Sequence, residues 1–267
     1  MDAAAKSMKL IIATPFYEVK AYSPYITSLL NSIKVLDELG IEWDYYEISG
    51  DSYVDRAKNT LVHRFLESDF THIFMVDSDE SWDTDGFIRL IRAALAGPEI
   101  VGGAYPCKNN WEFFGCIPKT DEKTGFVMGK ENGDIRLLDM WGIPGGFIIY
   151  SRAAFERARP NLKTYTDHVH GVTYLECFRC NVEENGTRIG EDIYFQQRYK
   201  EMGGLVWLEP NISIMHWGVK AWAGNYHDYL LHNKGSQEVD LPNETKRIVG
   251  EKLKTALERY DAVCEQL

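Results

Sequence analysis

Short apolar runs alternate along this chain with longer stretches whose apolar residues recur every three or four positions. The runs at 9–13, 73–76, 205–208 and 212–215 are nearly unbroken, as strands buried in a parallel sheet are. Residues 41–48 alternate imperfectly and read as a second strand. Residues 100–106 read as a strand running into a turn, where Gly102 and Gly103 mark close approach of another segment or a ligand. Between the runs lie helical patterns. Ser23 caps the first and Pro24 opens it. Ile26, Leu29, Leu30, Ile33 and Leu36 form its expected buried stripe, and Gly40 ends it. The next spans 54–67 with Val54, Ala57, Leu61, Phe65 and Leu66 inward. Further helices are expected over 85–96, 153–158 and 193–202. This alternation predicts an α/β fold with helices on a largely parallel sheet.

Other stretches carry weaker patterns. Pieces at 126–128 and 135–137, split by Glu131, Asn132, Gly133 and Asp134, predict a hairpin. Gly142, Gly145 and Gly146 make a Gly-rich turn feeding a strand, leaving room for a sugar or only for a tight turn. Residues 165–186 show no clean period. Residues 243–266 predict an amphipathic terminal helix, with Ile248, Leu253, Leu257 and Tyr260 on one side. The expected organisation is one domain over 8–225 and a helical extension over 226–267, the latter available for packing or for a homo-oligomer contact.

Charge narrows the choice of partner. Lys and Arg number 29 against 40 Asp and Glu, a net charge of −11. Such a chain lacks the broad basic face that a nucleic-acid duplex demands. No apolar run reaches the length of a membrane span. The first residues lack the apolar core of a signal peptide, so a cytoplasmic protein is expected. Five cysteines, Cys107, Cys116, Cys177, Cys180 and Cys264, then read as free thiols. Cys177 and Cys180 with His168 and His170 also offer a zinc set, although no second Cys pair supports it.

Candidate chemistry gathers at the end of the 73–76 run, where Asp77, Ser78 and Asp79 follow abruptly. In open α/β sheets ligands bind just beyond the carboxyl ends of strands. Two Asp separated by one residue can converge on a hard divalent cation, Mg2+ or Mn2+, that bridges nucleotide phosphates. The plainer reading is a solvated turn that caps the next helix. Asp55, Arg56, Lys58 and Asn59 open a helix, which is either a phosphate site or surface charge. Glu191 and Asp192 open another, where they either face a substrate or only complement the helix dipole.

Four pieces occur in a recognisable order: Val54-Asp55-Arg56-Ala57-Lys58-Asn59, Phe74-Met75-Val76-Asp77-Ser78-Asp79, Gly190-Glu191-Asp192 and His216-Trp217-Gly218. Over about residues 8–222 the chain resembles the GT-A superfamily of nucleotide-sugar-dependent glycosyltransferases, especially family-2-like viral and bacterial members. The resemblance implies a Rossmann-like, mixed, mostly parallel sheet flanked by helices. It implies a metal-dependent transfer of a sugar from a nucleotide-sugar, a UDP-sugar favoured, to a hydroxyl acceptor such as a glycan. Asp79 would ligate Mn2+ or Mg2+, Asp77 would reach the ribose or the metal through water, and His216 would be the third protein ligand. Thr14, Pro15, Arg56 and Ser78 would line the nucleotide pocket, and Lys220 would neutralise the diphosphate. Asp192 would be the base of an inverting enzyme, with Glu191 as alternate. Trp141, Trp217 and Trp222 offer sugar platforms or core packing. A retaining enzyme of the same fold and a non-catalytic sugar- or nucleotide-binding module are the alternatives. A sugar-nucleotide pyrophosphorylase is disfavoured, because Thr14-Pro15-Phe16-Tyr17 is not a Gly-rich loop.

Overall fold

Strand β1 (Lys9–Phe16) starts the central sheet, and α1 (Ser23–Leu39), β2 (Glu42–Ser49), α2 (Val54–Glu67) and β3 (His72–Val76) follow. Next come β4 (Glu80–Trp82), α3 (Thr84–Leu95), β5 (Ile100–Gly102), β6 (Gly129–Asn132), β7 (Ile135–Met140), β8 (Phe147–Ser151) and α4 (Arg152–Ala158). Two small hairpins, β9 (Thr164–Asp167) with β10 (Val172–Leu175) and β11 (Asn181–Val182) with β12 (Arg188–Ile189), precede α5 (Glu191–Glu201). The chain continues through β13 (Val206–Leu208), β14 (Ser213–Trp217), β15 (Ala221–Asn225) and α6 (Tyr226–His232). This computed structural model describes residues 8–108, 115–116, 118–119, 129–132 and 135–232.

Among the described residues, eight strands form the main sheet in the order β2-β1-β3-β8-β5-β13-β7-β6. β8 and β7 run against the other six, so the sheet is mixed with one dominant direction. Both faces are covered, which explains the unbroken apolar runs. Ile11 and Ala13 of β1 and Ile73 and Met75 of β3 pack on the side of Leu61, Phe65, Phe155 and Phe195 from α2, α4 and α5. Leu10, Ile12, Phe74 and Val76 face the other way, onto Tyr25 and Leu36 of α1 and Phe87 and Leu90 of α3. Period-2 alternation thus divides each strand between two cores. Burial of each such side chain contributes about 1.5–3 kcal/mol.

Several expectations are corrected. α1 is capped at Tyr22 without a side-chain bond, and its buried face carries Tyr25, Ser28, Leu29, Ser32, Val35 and Leu36. Ile26 and Leu30 are exposed. The stripe turns because Trp82 of β4 satisfies the two serines. Ser28 Oγ donates to the Trp82 carbonyl at 2.7 Å, and the Trp82 indole donates to Ser32 Oγ at 2.9 Å. Val54 is likewise exposed rather than inward. The run at 212–215 does not extend the main sheet; β14 pairs with β15 and β4 in a separate three-stranded sheet. The stretch at 165–186 holds both small hairpins. The hairpin expected near 131–134 forms between β6 and β7, with Asn132 opposite Ile135. Residues 126–128, 133–134, and the terminal helix expected at 243–266 lie outside the described residues. At 226 the chain enters α6, whose Tyr226 and Leu230 are buried in the core with α2 and α5.

Arg152, at the start of α4, ties the end of α2 to β3. Its guanidinium donates to the carbonyls of Phe65, Leu66, Ser68 and Phe70 at 2.7–3.1 Å. These include helix-end carbonyls that lack intrahelical partners, and a cation there also meets the negative end of the helix dipole. Arg152→Met is expected to cost about 2–3 kcal/mol, read as a lower urea midpoint at unchanged slope. A shift under about 0.5 kcal/mol would remove Arg152 from this role.

Candidate active site

A cleft of about 280 Å³ opens at the carboxyl ends of β1, β2 and β3. Pro15, Phe16 and Tyr17 form one wall, Asp51, Ser52, Val54 and Ala57 another, and Asp77, Ser78 and Asp79 the floor. Pro15, Asp77, Ser78 and Asp79 are therefore brought together. Thr14 is not among these lining groups. It is fully buried, with its hydroxyl 2.6 Å from the Tyr25 hydroxyl. Arg56 also stands back from the cleft and forks onto Asp51 at 2.7 and 2.8 Å. Burial raises the Asp51 pKa, but the Arg56 guanidinium and the Tyr53 amide outweigh it and hold the carboxylate below its ordinary range.

Behind the floor lies a buried cluster of charge. Lys58 points inward from the second turn of α2, with only 2% of its side chain exposed, and its ammonium meets Glu191 Oε1 at 2.9 Å. Burial opposes the Lys58 charge, yet Asp77, Glu191 and Asp192 outweigh it and hold the pKa well above the ordinary lysine value. Burial raises Glu191 as well, but Lys58 wins and the net direction is down. Asp192 moves up, from burial first and Glu191 second, against the pull of Lys58. Asp77 also moves up through burial, and its Oδ1 has no hydrogen-bond partner among the described residues. Glu80 is fully buried, and among the described residues no hydrogen bond of ordinary geometry reaches either oxygen. Burial and the charges of Asp77 and Asp79 push it well above the carboxylate range.

Gly145 and Gly146 let these groups approach. A Cβ on Gly146 would lie 2.5–2.6 Å from Glu80 Oε1, Asp77 Oδ2 and the Tyr105 hydroxyl, and one on Gly145 would lie 2.7 Å from Asp192 Cβ. The strap between β7 and β8 also runs along α5. The Gly145 amide donates to Asp192 Oδ2 at 2.9 Å. Gln196 bonds both the amide and the carbonyl of Ile143, at 2.8 and 2.7 Å. Lys200 donates to the Trp141 carbonyl at 2.8 Å.

His216 reaches the cleft floor from β14, where it stands opposite Glu80 of β4. Its Nδ1 lies 2.9 Å from the Pro106 carbonyl, so Nδ1 carries the proton and Nε2 keeps its lone pair. That Nε2 is 3.8 Å from Asp79 Oδ1. Burial first, and Lys108 after it, lowers the His216 pKa and keeps the ring neutral, although its bond to Pro106 and the two aspartates pull the other way. An ion about 2.2 Å from each donor fits that gap. No group of three His, Cys, Asp or Glu side chains among the described residues forms a metal-holding arrangement. The ammonium of Lys108 contacts Asp79 Oδ2.

The remaining candidates lie elsewhere. Lys220 sits over the Trp222 ring, 5.2 Å from its centroid. Trp222 is buried, the Trp217 indole donates to Ser81 Oγ at 2.7 Å, and Trp141 is exposed between Lys119 and Lys200. Cys177 is sealed in the core while Cys180 is exposed and His170 pairs with Asp167, so the zinc set does not assemble. Sequence reasoning missed Glu80, Tyr105 and Lys108. Glu80 adjoins the acidic pair and could have been noticed there; the other two follow β5 with no local signal.

No protein-family model matches the chain, and no curated protein does. Among solved structures, A197 from STIV is 17% identical, with a TM-score of 0.50 over 82% of this chain and 95% of that one. The crystal structure of GalNAc-T7 with UDP, GalNAc and Mn2+ is 10% identical, with a TM-score of 0.47. It is matched over 91% of this chain, which spans only 48% of that one. At 17% identity the likeness to A197 is one of fold. The class defined is a mixed α/β fold, shared with A197, that carries an acidic cleft at its strand ends.

Lys58→Met is expected to strip the counter-charge from three partly buried carboxylates and to cost about 3–5 kcal/mol near pH 7. The deficit should narrow near pH 5, because carboxylates raised in the folded state relieve their cost as they take protons. Glu191 in the native protein works oppositely, losing stability as pH falls through its depressed value. Urea titrations at both pH values read this, and equal midpoints for the two proteins at pH 7 would sink it.

Proposed function

We propose that the protein is a metal-dependent glycosyltransferase that moves a sugar from a nucleotide-sugar, a UDP-sugar favoured, to a hydroxyl acceptor such as a glycan. One observation carries the reading. Asp77 and Asp79 form the floor of a cleft at the strand ends, and His216 Nε2 stands 3.8 Å from Asp79 with its other nitrogen fixed by a backbone carbonyl. Carboxylate oxygens suit Mn2+ or Mg2+, and an imidazole beside them favours Mn2+ of the two, with the remaining positions open to a diphosphate and to water. A divalent ion held there supplies charge neutralisation for a diphosphate leaving group. Pro15, Phe16 and Tyr17 offer a wall for the base, and Asp51 offers an acceptor oxygen beside it.

Asp192 is assigned the proton of the acceptor hydroxyl, in a displacement that inverts the sugar. The Gly145 and Ile193 amides each donate to one of its oxygens, which fixes the carboxylate and leaves lone pairs free. A raised pKa makes it a stronger base than an ordinary aspartate. Glu191, held ionised by Lys58, is its neighbour and sustains that shift.

Calorimetry with UDP should show binding in Mn2+ and none in EDTA; no binding in either medium would break the link between the cleft and a nucleotide. Asp192→Asn should keep that binding while transfer falls by about two to four orders of magnitude. Turnover at the native rate would take the base role away from Asp192.

A further inference from the structure

The ammonium of Lys108 has no part in the reading above, yet it ends on the carboxylate that reading depends on. Lys108 follows β5 and its charge contacts Asp79 Oδ2, while Asp79 Oδ1 faces His216 Nε2 at 3.8 Å. Its stem passes the β14–β15 turn, where a Cβ on Gly218 would lie 3.5 Å from Lys108 Cδ. The charges divide into two sets. Lys58 serves Glu191, Asp77 and Asp192 in the interior. Asp79 is nearer the surface, and Lys108 supplies its cation. An ion bound by Asp79 and His216 would face a like charge at close range.

We propose that Lys108 is a tethered cation that neutralises Asp79 until a divalent ion takes that carboxylate, so that ion binding must displace the ammonium and free it toward the diphosphate. The inference rests on Asp79 and His216 as the ion's ligands. It makes the empty site electrically balanced and keeps its affinity for a bare ion low. A nucleotide diphosphate would favour the loaded state twice, by coordinating the ion and by receiving the displaced ammonium.

The test is Mn2+ binding to the full chain without nucleotide, read from the paramagnetic resonance of the free ion. Lys108→Met should bind Mn2+ on the order of tenfold more tightly than the native protein. Lys108→Arg, which keeps the charge, should stay near the native affinity. The side chain is 31% exposed, so neither variant threatens the fold. Equal Mn2+ affinity in the native and Met proteins overturns the proposal, and so does absence of Mn2+ binding in both. A UDP titration separates the two claims. UDP binding with unchanged Mn2+ affinity in the Met variant removes the role of Lys108 and keeps the glycosyltransferase reading. A Mn2+ gain without UDP binding keeps Lys108 as the ion's competitor and removes that reading.

Discussion

The ammonium of Lys58 is the constraint on which the site depends. A buried cation is tolerated only where carboxylates surround it, and buried carboxylates only where a cation answers them. Lys58 stands between the end of β3, through Asp77, and the start of α5, through Glu191 and Asp192. Its neighbour Asn59 points into the fold as well, and bonds the amide and carbonyl of Phe178 at 2.8 and 2.9 Å. The second turn of α2 is therefore locked both to the acidic centre and to the segment after β10. Apolar residues could hold these elements together with less desolvation cost. The charged solution instead sets the neighbouring carboxylates apart: burial raises both, but Lys58 brings Glu191 below its ordinary value while Asp192 stays above its own.

The second constraint is the short strand β4. Three residues after the sheet's carboxyl end, the chain pairs with β14 rather than running directly into α3. This pairing sets Glu80 opposite His216, and the Trp217 amide donates to the Asp79 carbonyl at 2.7 Å. The imidazole is thereby delivered to the carboxylate by backbone hydrogen bonds. Trp82 anchors the other end of β4 on Ser28 and Ser32, so the loop bearing Asp77 and Asp79 is held at both of its ends. The same anchor turns α1 and leaves Ile26 and Leu30 in solvent.

What the sequence revealed and what it hid follow from the range of the forces involved. The runs at 9–13 and 73–76 were legible because two-sided burial demands continuous apolar residues. The acidic pair was legible because it breaks such a run. The inward direction of Lys58 was not, since a lysine near a helix start carries no local mark of burial; Asp77, Glu191 and Asp192, distant in sequence, are what make the buried charge tolerable. Thr14 reads as a pocket residue by position, but β1 continues to Phe16 and alternation turns Thr14 toward Tyr25. Arg56 reads as a phosphate ligand at a helix start, but Asp51 lies within its reach and takes the guanidinium first. Each miss is a side chain claimed by a partner that local spacing does not show.

The strap along α5 explains how the Asp192 carboxylate is held in place at a helix start. Asp192, Gln196 and Lys200 recur every four residues on one helical face, and they meet Gly145, Ile143 and Trp141, which recur every two on the strap. Four helical residues rise about 6 Å and two extended residues about 6.6 Å, so the two ladders stay in step over three contacts. Their registers run in opposite directions, which brings the glycine end of the strap to the acidic end of the helix. A slip of one residue would set Pro144, which has no amide hydrogen, against Asp192. The position of the Asp192 carboxylate is thus a property of the whole helix–strap pairing, with Gln196 at its buried centre fixing the register for both ends.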